Sequence, residues 1–551
     1  MKRFVASILL GLSCGVAASA TGSPAAAGGL GGPPDAQLLE GLSALHQGRF
    51  TEGQSRFREF AERSPQDPRG PLFLAFAEWW KLLQLRGVGE SPSMELQLQE
   101  AIRLSQEKLQ EAPGDPETLA NLGTSYIFLA QYRAAQRKVF RAAVAAKKGK
   151  SLLEEALRSN PELIDSRFGL GAYNYYADKV NALVKGLRTM MFLPGGNSEM
   201  GLAQLQEVAS RGRYFRTEAH LLLAIIYQGR HERRYRKSLE ELRAALALNP
   251  DSPVMLMSLG ELEIRLGRYP EAQATLRRAV RVSRTSSDRD RSELGRLSRI
   301  LLSDSLDLAL RCPEALDELE TALNGEEVPP EFRARALAVA TRASTRLGDA
   351  RRLQKIYAAL GVTTDEAAAL KKQYGAAESS GEVARSIDPA LKMMETNQWD
   401  GALRLLGEAA KLHPGSPEIR LHQARALFEQ RKWKEAETAL RGIPASGGGA
   451  APGWVVGWRD LYLGRSLLAL GRRSEARSLY GRAADTDGFR SKDLARALLG
   501  PEGEDPGIWP PRIFGLGIEE PKNTADVGLG LPEGRNASIS VDRVFTGVVG
   551  R

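Results

Sequence analysis

The sequence has little cysteine, few aromatic residues and, after its first twenty residues, no long apolar run. Of its 551 residues only Cys14 and Cys312 are cysteines, and aromatic residues make up 7%. Loss of the first twenty residues would leave one cysteine, which excludes an intrachain disulfide framework. Cys312 is therefore expected to be a small buried residue. No later stretch approaches the ~20 apolar residues that span a bilayer, so no transmembrane helix is expected.

Residues 1–20 have the features of a secretory signal of a bacterial exported protein. Lys2 and Arg3 precede a short apolar run, and the segment closes on small residues that end at Ala20. We expect cleavage after Ala20 and a protein that is periplasmic or associated with the outer membrane. Lipid attachment at Cys14 is the alternative, although the residues before it fit the lipoprotein pattern poorly.

The net charge gives only a broad indication of partners. The formal charge of +9 falls by two, to +7, when Lys2 and Arg3 are removed. An exported protein does not meet nucleic acid, so an acidic protein, a cell-wall polymer or an anionic lipid surface is the more suitable partner. The abundant Ala, Leu, Arg, Glu and Gln favour helix over sheet.

One pattern of small and apolar residues recurs with a period of 34 residues. Each unit has a Gly or Ala near its eighth position and an Ala near its twentieth, where two helices would cross. A Pro near position 32 would stop the second helix because it lacks an N–H and clashes with the preceding turn. Four clear units are residues 34–67, 116–149, 253–286 and 457–490. Two more are the unit that ends at Pro414 and the unit directly after it.

This pattern resembles the tetratricopeptide repeat family. Leu122-Gly123, Leu259-Gly260 and Leu463-Gly464 carry the resemblance in the first helices, and Ala272 and Ala476 carry it in the second. The resemblance implies an all-α fold, a right-handed α-solenoid of helical hairpins. About four degenerate hairpins are expected between the six clear ones.

Changes in composition divide the chain into segments. We expect a flexible leader at 21–33, an N-terminal solenoid at 34–370, a hinge at 371–388, a C-terminal repeat block at 389–500 and an irregular Pro/Gly-rich tail at 501–551. Residues 151–161 are expected to form a separate helix, which begins with a capping box formed by Ser151 and Glu154.

The resemblance also implies where a partner binds. In a stack of hairpins the first helices line a concave groove that suits an extended peptide or a helix. The candidate groove residues of this chain are Asn121, Ser125, Glu261, Arg425 and Arg465. Family members that hold a terminal carboxylate place a Lys where this sequence has Ala120, Met257 and Leu421. That specialisation is not expected here.

Two other stretches are candidate contact surfaces. Arg277, Arg278, Arg281 and Arg284 form a candidate basic patch that suits carboxylates or phosphates, with a solvated helix face as the alternative. Residues 180–193 are more apolar than their neighbours, and we expect them in the core, the alternative being an amphipathic segment on a membrane or in a partner's groove.

No catalytic constellation is present in the sequence. Gly149-Lys150-Ser151 lacks the Gly that a phosphate-binding loop needs five residues earlier, and the five histidines form no close metal-binding spacing. The sequence therefore predicts no enzyme and no cofactor or metal site. It predicts a protein-binding scaffold or adaptor of the cell envelope. The alternatives are a permanent docking subunit of an envelope export or assembly machine, and an enzyme whose site escapes recognition.

Overall fold

The computed structural model describes residues 36–486 with gaps, and a few positions of 491–499. The gaps are at 83–90, 137, 180–194, 230, 233, 267, 285–288, 309–310, 324–326, 348, 375–377, 396–397, 445–450 and 452. The predicted signal, the leader, the apolar segment 180–193 and the tail 501–551 lie outside the described residues.

Most of the described residues lie in helices, and none of them lies in a strand. The helices up to residue 284 are α1 Ala36–His46, α2 Phe50–Arg63, α3 Arg69–Lys81, α4 Pro92–Glu111, α5 Pro116–Ala135, α6 Val139–Ser159, α7 Ser166–Asp178, α8 Ser198–Arg211, α9 Arg216–Gln228, α10 Tyr235–Leu248, α11 Pro253–Arg265 and α12 Tyr269–Arg284. They are followed by α13 Arg289–Leu308, α14 Cys312–Ala322, α15 Pro330–Leu347, α16 Ala350–Ala359, α17 Thr364–Tyr374, α18 Glu378–Glu395, α19 Trp399–Leu412, α20 Pro417–Glu429, α21 Trp433–Arg441, α22 Gly453–Ala469 and α23 Arg473–Asp485. The predicted all-α fold is confirmed.

Most of these helices pair in chain order into hairpins that stack as a solenoid. The pairs run from α1 with α2 to α15 with α16, and pairing resumes with α18 and α19 after the single helix α17. Within α1 to α17 and within α18 to α23, each hairpin also packs on the next, and a buried apolar core extends from Leu38 in α1 to Ala483 in α23. All six repeat units predicted from the 34-residue period coincide with hairpins of this stack.

A short sequence motif ends one hairpin and begins the next. Pro-Gly-Asp-Pro at 113–116 and Pro-Gly-Ser-Pro at 414–417 place a glycine with positive φ before the helix, 81° at Gly114 and 85° at Gly415. The Asp115 carboxylate accepts a hydrogen bond from the Thr118 N–H at 2.8 Å and caps α5. Proline then occupies the first helical turn, where its missing N–H removes no helical hydrogen bond.

Glycine lets the two helices of a hairpin approach closely. A methyl group on Gly149 in α6 would lie 2.8 Å from the carbonyl oxygen of Gly123 in α5. The helix α6 runs uninterrupted through Gly149. Lys150 lies inside this helix and forms an ion pair with Glu154. The prediction of a separate helix at 151–161 that starts at a Ser151 capping box is wrong. The Ala-rich segment before Ser151 favours helix, and Gly149 lets that helix continue past its crossing with α5.

The predicted hinge at 371–388 is largely helical in the described residues. α17 extends to Tyr374 and α18 begins at Glu378, so Ser379, Ser380 and Gly381 lie in a helix rather than in a linker. Buried Ile387 anchors α18 in the core, and this packing outweighs the weak helix propensity of Gly and Ser. Between α17 and α18 the described residues show no helix packing as extensive as that within the hairpins. A boundary between two blocks at this point stays a prediction.

Candidate partner-binding surfaces

Aromatic side chains fill the inner face of the first hairpins. Phe76 of α3 contacts Phe128 of α5 with ring centroids 5.5 Å apart, and Phe215, just before α9, lies 5.8 Å from Phe76 and 5.2 Å from Phe168 of α7. All four rings are buried. Contact between helices three hairpins apart requires the first helices to curve around a shared centre. In this part of the solenoid the inner face is therefore a closed core rather than an open groove.

The turn between α1 and α2 extends this closure to later hairpins. The Thr51 hydroxyl donates to the Asp290 carboxylate at the start of α13 at 3.0 Å, and Lys81 Nζ at the end of α3 donates to the same carboxylate at 2.8 Å. Gly48 has a φ of 75°, and a methyl group there would lie 2.6 Å from Leu294. The first hairpin thus lies against the edge of α13, and the N-terminal solenoid closes on itself.

A buried polar pair lies inside this closure. His46 Nε2 is 3.6 Å from Glu218 Oε1 in α9, and neither side chain is exposed. Burial holds the pKa of His46 well below its ordinary value, so the imidazole is neutral at neutral pH. The Trp80 ring packs 5.8 Å from the His46 ring. The pair is a structural part of the closed core.

Two predicted groove residues lie in this closed region. Asn121 and Ser125 of α5 are buried, and the Ser125 hydroxyl donates to the Asn121 carbonyl oxygen at 2.8 Å. A partner cannot reach them in this structure. Their assignment to an accessible groove is wrong, because the curvature of the stack brings aromatic rings across the face on which they lie.

The inner face at α11, α13 and α15 carries charged groups instead. Glu261 of α11 is half exposed and accepts a hydrogen bond from the Arg335 guanidinium of α15 at 2.6 Å. Arg335 also lies 3.4 Å from Asp304 of α13, which in turn pairs with Arg342 at 3.0 Å. Three consecutive first helices are thus linked by ion pairs. The predicted groove residue Glu261 is accessible here.

The other two predicted groove residues lie on the first helices of the C-terminal block. Arg425 of α20 is buried, and Arg465 of α22 is half buried with its guanidinium 4.7 Å from the Phe428 ring centre and 5.5 Å from that of Tyr462. Arg425 is therefore covered like Asn121 and Ser125, whereas Arg465 is partly accessible. Cation–π contacts of this kind orient the guanidinium plane.

The predicted basic patch lies on the second helix α12, outside the groove. Arg281 and Arg284 are exposed, while Arg277 is 3.8 Å from Glu314 and Arg278 is 3.7 Å from Asp251. These are long surface pairs that contribute little to stability. The four arginines share one helix, but they do not meet any of the candidate groove residues.

A shallow cavity of about 510 Å³ between α8, α9 and α10 was missed at the sequence level. His220 and Glu241 line it and are joined at 2.6 Å, with Arg216 and Gln206 nearby. The residues come from three helices with no shared motif, so no pattern in the sequence indicates the cavity.

The described residues contain no group of three or more His, Cys, Asp or Glu side chains that could hold a metal ion. Cys312 is buried, with its Sγ 4.0 Å from an Asp307 carboxylate oxygen. Within the same residues no helix is long and apolar enough to cross a membrane.

Comparison with known proteins identifies the repeats. Residues 230–289 and 393–452 match the tetratricopeptide repeat family. The first match includes α10 to α12 and the second includes α19 to α21, so the predicted resemblance is confirmed. No curated protein matches the chain. Tetratricopeptide-repeat proteins bind other proteins and typically act as scaffolds rather than as enzymes.

Several solved structures are similar to this chain at low sequence identity. A human IFIT1 dimer with PPP-AAAA is 14% identical, with 80% of each chain covered and a TM-score of 0.27. Yeast Tom70 is 13% identical over 84% of this chain and 93% of that chain, with a TM-score of 0.21. The Cut9-Hcn1 hetero-tetramer of APC/C is 14% identical over 86% of this chain and 94% of that chain, with a TM-score of 0.23.

Proposed function

We propose that this tetratricopeptide-repeat chain is a non-catalytic scaffold of the cell envelope, which binds a peptide segment or a helix of a partner protein on its inner face. The observation that carries the proposal is the charged inner face at α11, α13 and α15, where Glu261 is accessible. Stacked hairpins offer such a face as a continuous binding surface. The signal-like residues 1–20 support the envelope location.

The closed core restricts where the partner binds. Because aromatic rings fill the inner face from α3 to α9, the accessible part begins near α11. Glu261 and Asp304 alternate there with Arg335, so the surface offers both signs of charge. A partner segment with a Lys or Arg side chain competes with Arg335 for Glu261. Recognition is then an exchange of ion pairs, which is sensitive to salt.

Site-specific photo-crosslinking in the producing cell tests this assignment. A photoreactive residue at position 261 of α11 should give discrete adducts with a partner protein. The same residue at position 281, on the exposed face of α12, is the matched control and should give few adducts. Glu261→Gln, which keeps the size of the side chain and removes its charge, should lower partner capture several-fold, and circular dichroism should show that the variant is folded.

The opposite pattern would assign capture to the basic patch. Adducts from position 281 alone, together with loss of capture in Arg277→Glu/Arg278→Glu/Arg281→Glu, would remove the inner face from consideration. Fractionation of the same cells distinguishes a free adaptor from a permanent machine subunit. A membrane-bound complex that survives high salt indicates the subunit, and a free monomer indicates the adaptor.

A further inference from the structure

Four large apolar side chains are exposed near the starts of three second helices. Leu96 of α4 is 64% exposed, Phe140 and Val144 of α6 are 65% and 40% exposed, and Met200 of α8 is 47% exposed. All four lie in the first two turns of the second helices of three consecutive hairpins. Since the hairpins stack side by side, equivalent positions on their second helices lie along one edge. We call these four residues the apolar row.

The apolar row differs from the other exposed apolar residues. In the described chain the remaining large ones are Leu347, Leu412 and Leu468, which lie singly on separate helices α15, α19 and α22. Single exposed apolar residues are common on protein surfaces and need no explanation. A row shared by neighbouring helices is a feature of interaction sites.

Basic residues share the exposed face of α6 with the row. Phe140, Arg141, Val144, Lys147 and Lys148 have the spacing of a single helical face, and all five are exposed. No Asp or Glu occurs between Glu117 and Glu154, so this face carries charge of one sign.

Two of the acidic groups near the row are already paired with basic side chains. The carboxylate of Glu95, next to Leu96, is bound by Arg133 at 2.9 Å, and Glu154 is bound by Lys150. Glu199 beside Met200 is exposed and is the acidic residue next to the row at its α8 end. The net charge around Phe140 is therefore positive.

We propose that the apolar row and the basic face of α6 bind the protein to an anionic membrane surface. An amphipathic helix that combines exposed aromatic and aliphatic side chains with Lys and Arg inserts its apolar groups at the headgroup level, while the cations bind acidic lipids. The second helices of a solenoid form its outer, convex face, which suits a flat surface rather than a peptide or helix that needs a groove.

A second copy of the chain is a poorer occupant. A two-fold interface would bring the basic face of one α6 against that of the other, and like charges in contact oppose association. An anionic lipid surface has the charge that complements the basic face of α6. Docking through this outer edge leaves the inner face at α11 to α15 free for a protein partner.

Vesicle co-sedimentation tests the proposal on the full chain as the cell processes it, with its N terminus determined by mass spectrometry. The probes are vesicles of phosphatidylcholine alone and of phosphatidylcholine mixed with phosphatidylglycerol. The wild-type chain should bind the anionic vesicles and not the neutral ones, with weaker binding at high salt. Lys147→Glu/Lys148→Glu should lower binding by about 25-fold or more, since each basic residue near the surface contributes roughly a fivefold change in affinity.

Matched controls separate this site from general surface effects. Phe140→Ser/Val144→Ser should weaken binding like the charge reversals, whereas Leu412→Ser removes an apolar side chain that is 72% exposed elsewhere and should have no effect. Arg281→Glu/Arg284→Glu makes the same change of charge on α12 and should leave vesicle binding unchanged. Circular dichroism of each variant confirms that it is folded.

Two results would overturn the proposal. Equal binding of the wild-type chain and the α6 variants to anionic vesicles would show that the row does not contact lipid. A dimer of the wild-type chain that becomes monomeric in Phe140→Ser/Val144→Ser, measured by light scattering without lipid, would assign the row to an interface between copies. Neither result affects crosslinking at position 261, so the proposed scaffold function is tested separately.

Discussion

At the scale of single residues, the first helix of the α20–α21 hairpin buries ionisable side chains, and burial disfavours their charged forms. Glu418 lies in the first turn of α20, and burial raises the pKa of its carboxyl group to about 7. One turn later His422 is completely buried, and its pKa is held well below the ordinary value, first by burial and then by the charge of Arg425. Both shifts favour the neutral forms. The fold therefore becomes less favourable when Glu418 ionises.

Glu418→Gln should stabilise the protein at pH 8 and abolish part of its pH dependence. The folded pKa lies above the unfolded value of 4.5, so the favourable contribution is complete below pH 4.5 and is lost as the pH rises through about 7. At pH 8 the variant should gain on the order of 2 kcal/mol in the free energy of unfolding, and near pH 5 much less. Urea denaturation at both pH values measures the difference. The exposed Glu435→Gln is the control, and identical pH profiles for all three proteins would contradict the expectation.

The sequence predicts single residues well where a repeat position defines the environment. Gly123 and Gly260 were expected at helix crossings, and a methyl group on either would lie within 2.8 Å of a leucine of the second helix. Asn121 and Ser125 were assigned to the groove from their positions in the repeat, but both are buried. A position in the repeat specifies the face of the helix on which a residue lies. It does not specify what covers that face, because the covering rings come from hairpins far along the chain.

At the scale of helices and hairpins, close approach depends on glycine at some positions and not at others. Gly149 of α6 lies against Gly123, and a methyl group there would also be 3.0 Å from Ile127. Gly407 of α19 and Gly481 of α23 have nothing within 4 Å of the same position. Only the first of these glycines is required by packing, although all three occupy helix interiors.

Substitution by alanine should therefore change stability in opposite directions. Gly149→Ala should lower the free energy of unfolding by about 1–3 kcal/mol, because the two helices must move apart. Gly407→Ala and Gly481→Ala should raise it by about 0.5–1 kcal/mol, because alanine loses less backbone entropy in a helix. Thermal and urea denaturation measure all three variants. A stabilising effect of Gly149→Ala would show that α5 and α6 do not approach as closely as described.

Helix boundaries were predicted at the starts of repeat units, as at Pro116 and Pro253, where α5 and α11 begin. They were missed where packing overrides weak local preferences. Ser151 was expected to begin a helix but lies inside α6, and Ser379 and Gly381 were expected in a linker but lie in α18. In both cases buried apolar residues on one face, such as Leu153 and Ile387, continue the helix through polar and small residues.

At the scale of the whole molecule, the closure of the N-terminal solenoid could not be predicted from the repeats. Hydrogen bonds from Thr51 and Lys81 to Asp290 join residues more than 200 positions apart. Such a contact depends on the small rotation of each hairpin relative to the next, summed over several hairpins. A degenerate hairpin changes that rotation without leaving a recognisable pattern. The sequence therefore predicts a stack of hairpins but not its closed form.

The weaker packing between α17 and α18 predicts that the chain unfolds in two steps. Leu370 and Ile387 continue the core across this point, but the described helices on either side pack more extensively within their own blocks. In a stack of repeats, a weak interface uncouples the units that it joins. The helices α18 to α23 should then lose amide protection together, separately from α1 to α17.

Two matched substitutions assign the unfolding steps. A methyl group on Gly464 of α22 would lie 2.6 Å from the Tyr480 ring, and one on Gly260 of α11 would lie 2.6 Å from Leu276, so valine at either site should cost about 1–3 kcal/mol. Hydrogen exchange followed by mass spectrometry at increasing denaturant should show that Gly464→Val weakens protection only in α18 to α23. Gly260→Val should weaken it only in the N-terminal block. If either substitution shifted both blocks equally, the interface between α17 and α18 would be strong enough to make the solenoid a single cooperative unit.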